Sequence, residues 1–315
     1  MGFLRVSIVL ALWTVAVSGV TVQDYFPTLE NNVTQIRWAH AVNNQKFLNN
    51  TLYNDAINMI EGDVVFGTLT SDTKTKLPIM AHPPNDTSDL SLADFLAQVL
   101  KYDTNENYNA TYKGVKLDFK SIEALTSYLA FSNIKTYTDA FPIWINADIF
   151  NGPDNGVATV DAKAFFTAVK SVANTSLSLG WATGYNTTNP NITAYDSDQT
   201  KQMSDAITEN DVSVPITFAV RAVYAAESIE SLTGLLKIHD NSTLTIWSSD
   251  GDKVNVTNLR SLIFAVGLDK TFIDVPDDLL SQLNLDDTSG ASLIKMSWVS
   301  LLTALVLFFR NVRYN

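Results

Sequence analysis

Short apolar runs alternate with helix-forming stretches along most of this chain, beginning near Ile36. This alternation is typical of βα units, which place parallel strands in one sheet, and it disfavours a β-sandwich or an all-helical bundle. The runs that fit strands are Ile36–His40, Met59–Val65, Leu77–His82, Gly114–Phe119, Phe141–Ile149, Ser176–Trp181, Val214–Val220 and Leu244–Trp247. Because a (β/α)8 barrel has this number of strands, the sequence predicts an α/β fold with a single TIM-type barrel.

Helical patterns fill most of the intervals between these strands, and several begin with Ser, Asp or Thr in the capping position. The predicted helices are Asn44–Ile57, Ser91–Leu100, Ser121–Phe131, Asp161–Val172, Ser197–Thr208 and Thr257–Phe264. Only the polar stretch Gly67–Lys76 separates the second predicted strand from the third. It is too short for a crossover helix, so the barrel is expected to be irregular between these two strands.

Both ends of the chain have the composition of targeting segments. Residues 1–19 predict a secretory signal peptide, in which Arg5 precedes an apolar run too short to span a membrane. In residues 286–315, small residues and an apolar tail predict a GPI-attachment signal near Ser289 or Gly290. The basic ending after Phe309 favours a single membrane-spanning segment instead. Either alternative tethers a barrel of residues 20–285 to the membrane.

Glycosylation triplets support passage through the secretory pathway to the extracellular face of the plasma membrane or the extracellular space. Asn-x-Ser/Thr occurs at Asn32, Asn49, Asn85, Asn109, Asn174, Asn186, Asn191, Asn241 and Asn255. The chain has no cysteine, so a large core rather than disulfides must hold the fold. Its net charge of −12 argues against nucleic acid as a partner.

Polar residues gather at the ends of the apolar runs, where the catalytic groups of a (β/α)8 barrel lie. They are His40, Glu61, Asp63, His82, Lys116, Asp118, Lys120, Asn146 and Asp148. Glu61 and Asp63 are two residues apart on one predicted strand, so both point to the same face. Two such carboxylates repel each other unless a cation is bound. With Asp118 they would form an all-oxygen site, which suits Mg²⁺ or Ca²⁺ better than zinc.

Each of these residues also has a purely structural explanation. Charged residues at strand ends often form solvated rims or salt bridges, and Glu61 or Asp63 could pair with Lys116 or Lys120. A lone histidine is more often a packing residue than a catalytic one. The sequence pattern alone therefore leaves both interpretations open.

Several sequence blocks, taken together, resemble the menorin family. They are Trp38–Asn43, Ile60–Val64, Pro78–Pro84, Gly114–Lys120 and Trp144–Ile149, continued by Leu179–Trp181, Ile216–Arg221 and Leu244–Trp247. The order and spacing of the blocks make the resemblance specific. The menorin family is similar in turn to phosphodiesterases with the phospholipase-C-like barrel, including the glycerophosphodiesterases and the spider-venom sphingomyelinase D enzymes.

That resemblance implies a role for each matching residue. The catalytic residues would be His40, His82 and Lys120, the metal ligands Glu61, Asp63 and Asp118, and the pocket residues Asn43, Lys116, Asn146, Asp148, Arg221 and Trp247. The metal and Lys120 would stabilise an anionic phosphate, while one histidine acts as base or nucleophile and the other as acid. The implied substrate is a glycerophosphodiester or lysophospholipid-like molecule.

One position departs from this pattern. Glycerophosphodiesterases have Arg after their first histidine, whereas this chain has Ala41 after His40. Arg221 or Lys116 could supply the missing positive charge, or the substrate differs. The resemblance also implies a non-enzymatic alternative, in which the barrel is a cell-surface ligand of neuronal adhesion receptors in dendrite patterning.

Overall fold

The structure is a computed structural model that describes residues 20–29, 31–105, 112–170, 172, 174–188, 190–239 and 241–287. Its centre is a barrel of parallel strands surrounded by helices, as the sequence predicts. The predicted signal peptide and the proposed attachment site near Ser289 lie outside the described residues. Within the described part of the chain, no helix is both long and apolar enough to cross a membrane.

The strands belong to one sheet. They are β1 (Trp38–Ala39), β2 (Met59–Leu69), β3 (Asp72–Met80), β4 (Thr87–Ser88), β5 (Gly114–Phe119), β6 (Ile143–Asn151), β7 (Ser176–Ala182), β8 (Ile216–Arg221), β9 (Thr243–Trp247) and β10 (Thr271–Asp274). Eight of them form the barrel in the order β1-β2-β5-β6-β7-β8-β9-β10, and each neighbouring pair is parallel. Among the described residues no backbone ladder joins β10 to β1, so the barrel is nearly closed.

The helices lie between the strands and mostly begin at a capping side chain. They are α1 (Val22–Tyr25), α2 (Gln45–Leu52), α3 (Leu92–Asp103), α4 (Ile122–Leu129), α5 (Ile134–Thr138), α6 (Ala162–Val169), α7 (Ser197–Glu209), α8 (Ala222–Ala225), α9 (Ile229–Ile238), α10 (Val256–Val266) and α11 (Asp277–Leu283). Short 3₁₀ turns cover Pro27–Leu29, Val33–Gln35 and Pro153–Asn155. At α7, Asp196 and Gln199 form a reciprocal capping box, which fixes where the helix begins.

Alternate positions along the strands separate an apolar core from a polar barrel interior. Leu179 and Phe218 are buried in the main core together with helix residues such as Phe165. The positions that precede them on their strands, Ser178 and Thr217, are buried and hydrogen-bonded to polar groups of neighbouring strands. The apolar layer between strands and helices therefore holds the fold, and the interior is available for polar groups.

A second apolar cluster closes the floor of the barrel, at the amino ends of the strands. Met59, Trp144 and Phe272 meet Val22 and Phe26 from the amino-terminal segment. This cluster packs against the floor of the barrel, while the polar interior opens towards the carboxyl ends of the strands.

One predicted barrel strand is not part of the barrel. The segment predicted as Leu77–His82 belongs to β3, which runs antiparallel to the upper half of β2 as a hairpin. Only Thr70 and Ser71 lie between β2 and β3. This connection is too short to return the chain to the floor, and a parallel strand needs that return. The irregularity expected after the second strand is this hairpin.

The last barrel strand was missing from the sequence prediction. It is β10, which pairs with β9 and brings Asp274 level with Trp247. Only four residues form this strand, too few for a recognisable alternating pattern. The eight barrel strands are therefore the predicted set with β10 in place of the hairpin strand.

Candidate functional site

A cavity of about 350 Å³ opens at the carboxyl ends of the barrel strands. Its walls are formed by His40, Ala41, Glu61, Asp63, His82, Lys116, Asp118, Lys120, Asn146, Asp148, Thr183, Ala219, Arg221, Trp247 and Ser249. All the site residues predicted from the sequence are among them except Asn43, which contacts the cavity wall through Asp63. The structure thus brings the predicted residues to one place, where a barrel enzyme has its active site.

Three carboxylates lie together at the base of this cavity. Glu61, Asp63 and Asp118 each offer an oxygen atom, and these atoms lie within 4.8 Å of one another. Asp118 Oδ1 is buried and has no hydrogen-bond partner among the described residues. A buried carboxylate oxygen without a partner is costly, and a divalent cation would satisfy it. The three residues, called the carboxylate triad below, therefore fit a Mg²⁺ or Ca²⁺ ion.

Neighbouring groups hold the triad in place. Lys120 Nζ lies 2.8 Å from Asp63 Oδ1 and 2.5 Å from Asp118 Oδ2. Asn43 Nδ2 donates to Asp63 Oδ2 at 2.7 Å, and the Asp63 amide donates to Asn43 Oδ1 at 2.9 Å. The backbone amide of Ala41 donates to Glu61 Oε2 at 2.7 Å. The salt-bridge alternative is thus correct in part, since Lys120 pairs with two carboxylates and still leaves Asp118 Oδ1 unsatisfied.

The triad does not ionise uniformly. Burial raises the pKa of Glu61, and the positive charge of His40 opposes this effect only in part. Burial also disfavours ionisation of Asp118, but the charges of Lys120 and Lys116 outweigh it and lower the pKa of Asp118 to about 2. Bound divalent charge would favour the ionised form of all three carboxyl groups.

His40 lies at the end of β1 and bonds to a residue that the sequence did not single out. Its Nδ1 lies 3.0 Å from Asp274 Oδ2 on β10 and 3.7 Å from Glu61 Oε2. Burial lowers the pKa of His40, but the Glu61 charge and the hydrogen bond to Asp274 outweigh it and raise this pKa to about 9. Asp274 thereby orients the ring. The sequence signal that could have identified Asp274 as a site residue is its position as an acidic residue directly after the short run Thr271–Ile273.

His82 follows β3 and is exposed at the rim of the cavity. Its Nδ1 lies 2.6 Å from the carbonyl oxygen of Pro83. Because a carbonyl oxygen only accepts hydrogen bonds, we assign the ring hydrogen to Nδ1. Nε2 of neutral His82 is then the nitrogen that can take up a proton.

Two charged side chains on the cavity wall have no partner. Neither Lys116 nor Asp148 forms a side-chain hydrogen bond or ion pair with any of the described residues. Burial, and then the nearby charge of Asp118, raise the pKa of Asp148 to about 6. Since unpaired charges in a partly buried site are costly, both groups are suited to binding a charged ligand.

Arg221 differs from Lys116, because another residue already neutralises it. Its Nε and Nη2 donate to the two carboxylate oxygens of Asp252 at 2.9 and 2.8 Å, and Nη1 donates to Thr183 Oγ1 at 3.1 Å. The guanidinium carbon also lies 5.0 Å from the ring centres of both Tyr185 and Trp247. Arg221 therefore ties the loops after β7, β8 and β9 together at the mouth.

We expect Asp274→Asn to lower the pKa of His40 from about 9 towards the ordinary value of 6.5. The charge of Asp274 favours protonated His40, and this favourable interaction is complete below pH 6.5 and is lost as the pH rises through about 9. NMR titration of the imidazole in EDTA-treated protein measures the shift. The His40 side chain is 51% exposed, so the accompanying change in stability is small.

The surface variant Asp205→Asn serves as the matched control, because it removes the same charge from an exposed ion pair with Lys201. It should leave the His40 pKa in place. An unchanged His40 pKa in Asp274→Asn would show that the Asp274 carboxylate does not stabilise protonated His40.

Comparison with known proteins gives one family. The sequence model of the Menorin N-terminal domain matches residues 32–280. Protein FAM151B from Homo sapiens is 37% identical over 228 residues, which are 71% of this chain and 76% of that protein. A crystal structure from Toxoplasma gondii named as an orotidine-monophosphate-decarboxylase aligns with a TM-score of 0.41 at 12% identity, over 88% of this chain and 97% of that one. That likeness is too distant to inform fold or function.

Proposed function

This chain belongs to the menorin family, and from the chemistry of its barrel mouth we propose that it is a metal-dependent phosphodiesterase. The substrate would be a glycerophosphodiester or a lysophospholipid-like molecule. The observation that carries the proposal is the carboxylate triad, with one unsatisfied buried oxygen, beside two histidines and Lys120 in one cavity. A barrel that served only as a scaffold would have no need for this costly arrangement.

The reaction would be hydrolysis of one phosphodiester bond. Water supplies an oxygen to phosphorus, the bond from phosphorus to the alcohol oxygen breaks, and the alcohol leaves with a proton. When bound at the triad, a Mg²⁺ or Ca²⁺ ion supplies positive charge to the phosphate oxygens. His40 and His82 hold and move the protons, one as base or nucleophile and the other as acid.

Lys116 is the group best suited to replace the arginine that glycerophosphodiesterases carry after their first histidine. Arg221 is bound at two points to Asp252, so little of its charge is available to a substrate. Lys116 lines the cavity and has no ion-pair partner among the described residues. We therefore propose that Lys116 and Lys120 bind the negatively charged phosphate of the substrate.

The cellular setting of this proposal rests on the sequence. An export signal, nine glycosylation triplets and a carboxyl-terminal tether would place the barrel outside the cell, attached to the plasma membrane. In that position it would reach phosphodiesters in the extracellular fluid or in a membrane. A cell-surface receptor would be a further partner there.

The experiment is a hydrolysis panel with the full-length protein, purified from cells that export and glycosylate proteins. Glycerophosphodiesters and lysophospholipids are offered after EDTA treatment, then with Mg²⁺ or Ca²⁺ restored. We expect turnover of at least one class only when the metal is present. A folded protein that cleaves none of them but binds an adhesion receptor would contradict the proposal and favour the non-catalytic alternative.

A further inference from the structure

Ser178 is a buried polar residue in the barrel interior, behind the wall of the mouth cavity. It lies on β7 in register with Asn146 on β6, and Asn146 is in register with Asp118 on β5. Residues in register on neighbouring strands point to the same face of the sheet, so the three side chains form one row across the barrel interior. Asn146 lines the cavity, whereas Ser178 is fully buried and is not among the described residues of the cavity wall.

One hydrogen bond determines which way the Asn146 amide points. Ser178 Oγ donates to Asn146 Oδ1 at 2.6 Å, and this bond is buried. Because its oxygen is turned towards β7, the amide has its nitrogen on the opposite side, towards Asp118. The reverse orientation would place the amide oxygen against the Asp118 carboxylate, and two groups that only accept hydrogen bonds repel each other.

The orientation of Asn146 matters for Asp118, a member of the triad. Burial disfavours the ionised form of Asp118, and the charges of Lys120 and Lys116, supported by the Asn146 amide, hold its pKa low. A carboxylate must be ionised to bind a divalent cation. The amide nitrogen carries two hydrogens, so it can also donate to an oxygen atom of a ligand in the cavity. An amide turned the other way would lose both effects.

We infer that Ser178 is a positioning residue of the candidate site, which holds the Asn146 amide with its nitrogen towards Asp118 and the bound phosphate. The inference rests on the proposed phosphodiesterase function and adds to it a residue that touches neither metal nor substrate. Replacing a residue that orients the ligands of a metal site typically costs about 10- to 100-fold in metal affinity or activity. Ser178 acts through Asn146, so the effects of replacing the two residues should not add.

The test compares Ser178→Ala with a matched buried variant. Thr217→Val removes one hydroxyl of the hydrogen bond between Thr217 and Thr245, which lies in the same barrel interior and does not involve Asn146. We expect Ser178→Ala to weaken Mg²⁺ or Ca²⁺ binding, measured by calorimetry, by about tenfold or more and to lower kcat/KM by a similar factor. Thr217→Val should leave both close to the wild-type values, although it loses a buried hydrogen bond too.

Two further variants make this result specific. Ser178→Cys fills the space of the serine but has only a weak donor, so it should also weaken metal binding, and it covers the case that Ser178→Ala fails to fold. In an Asn146→Ala background, adding Ser178→Ala should change the metal affinity no further, because Ser178 then has no amide to orient. Equal metal affinity in the wild-type protein and Ser178→Ala, or a further loss in the double variant, would overturn the inference and leave the phosphodiesterase function standing.

A measurement on the metal-free protein separates the inference from the proposed function. NMR follows the side-chain amide resonances of Asn146, which are assigned by their loss in Asn146→Ala. They should shift in Ser178→Ala and stay in place in Thr217→Val, and unchanged resonances in Ser178→Ala would overturn the inference. A wild-type protein that binds no metal and cleaves no ester would refute the proposed function, while the resonances still decide whether Ser178 orients Asn146.

Discussion

Replacing His40 or His82 by alanine should abolish measurable phosphodiester turnover while the barrel stays folded. Each proton transfer by a positioned side chain contributes about 10²–10⁴-fold to a rate, and no other histidine lies at the mouth to replace either one. Steady-state kinetics with the best substrate of the panel measures the loss. Circular dichroism and thermal unfolding establish that the variants are folded.

The two variants should differ in stability. His82 is exposed and bonds only to the adjacent Pro83 carbonyl, so its removal should change the free energy of unfolding by no more than about 0.5 kcal/mol. His40 faces two buried carboxylates, Glu61 and Asp274, and its removal leaves both without their cationic partner. We therefore expect His40→Ala to be the less stable of the two in the metal-free protein.

His239→Ala is the control for these substitutions. His239 follows α9 at the floor side of the barrel, where its Nε2 lies 3.2 Å from Ser204 Oγ, and it does not line the mouth cavity. This variant should keep normal turnover. Normal turnover in His40→Ala or in His82→Ala would refute the proposed mechanism.

Removing one carboxylate of the triad should eliminate divalent-cation binding. Glu61→Gln and Asp118→Asn each replace one of the three negatively charged carboxylates by a neutral amide. We expect calorimetry to detect no Mg²⁺ or Ca²⁺ binding in either variant. A ligand at a hundredfold excess over its Kd stabilises a folded protein by about 2.7 kcal/mol. The wild-type protein should gain about this free energy of unfolding when Mg²⁺ or Ca²⁺ is added, and the variants should gain none.

Asp205→Asn again provides the matched charge change away from the site, and it should bind the cation as the wild-type protein does. Zinc should bind more weakly here than at zinc sites that contain thiolate ligands, because this site offers carboxylate oxygens and no thiolate. A wild-type protein that binds neither Mg²⁺ nor Ca²⁺ would show that Lys120 alone compensates the triad.

Much of the fold follows from the local sequence pattern. The limits of β5 and the carboxyl end of β9 match the sequence prediction, because their apolar positions alternate clearly over a complete strand. The hairpin strand β3 was assigned wrongly to the barrel, because an apolar run shows that a strand forms but not which strand it pairs with. The four-residue β10 was missed for lack of a pattern long enough to detect.

The membership of the candidate site also follows from the sequence to a large degree. Strand periodicity of two residues places Glu61 with Asp63, and Lys116 with Asp118 and Lys120, on common faces. Because the barrel strands are parallel, their carboxyl ends lie at the same end of the barrel, and so do the polar residues near those ends. The sequence by itself therefore determined that most of these polar residues meet there, although it did not single out Thr183, Ser249 or Asp274.

Only the tertiary structure decided which of these residues pair. His40 and Asp274 are 234 positions apart and meet because the curvature of the sheet brings its first and last strands near each other. Lys120 rather than Lys116 pairs with the triad, and Arg221 is neutralised by Asp252, so that Lys116 and Asp148 have no ion-pair partner in the part of the chain that the structure describes. The periodicity of a strand fixes only the face of the sheet on which a side chain lies. Which residue it pairs with depends on distances across the barrel, and these are set only when the strands come together in the folded protein.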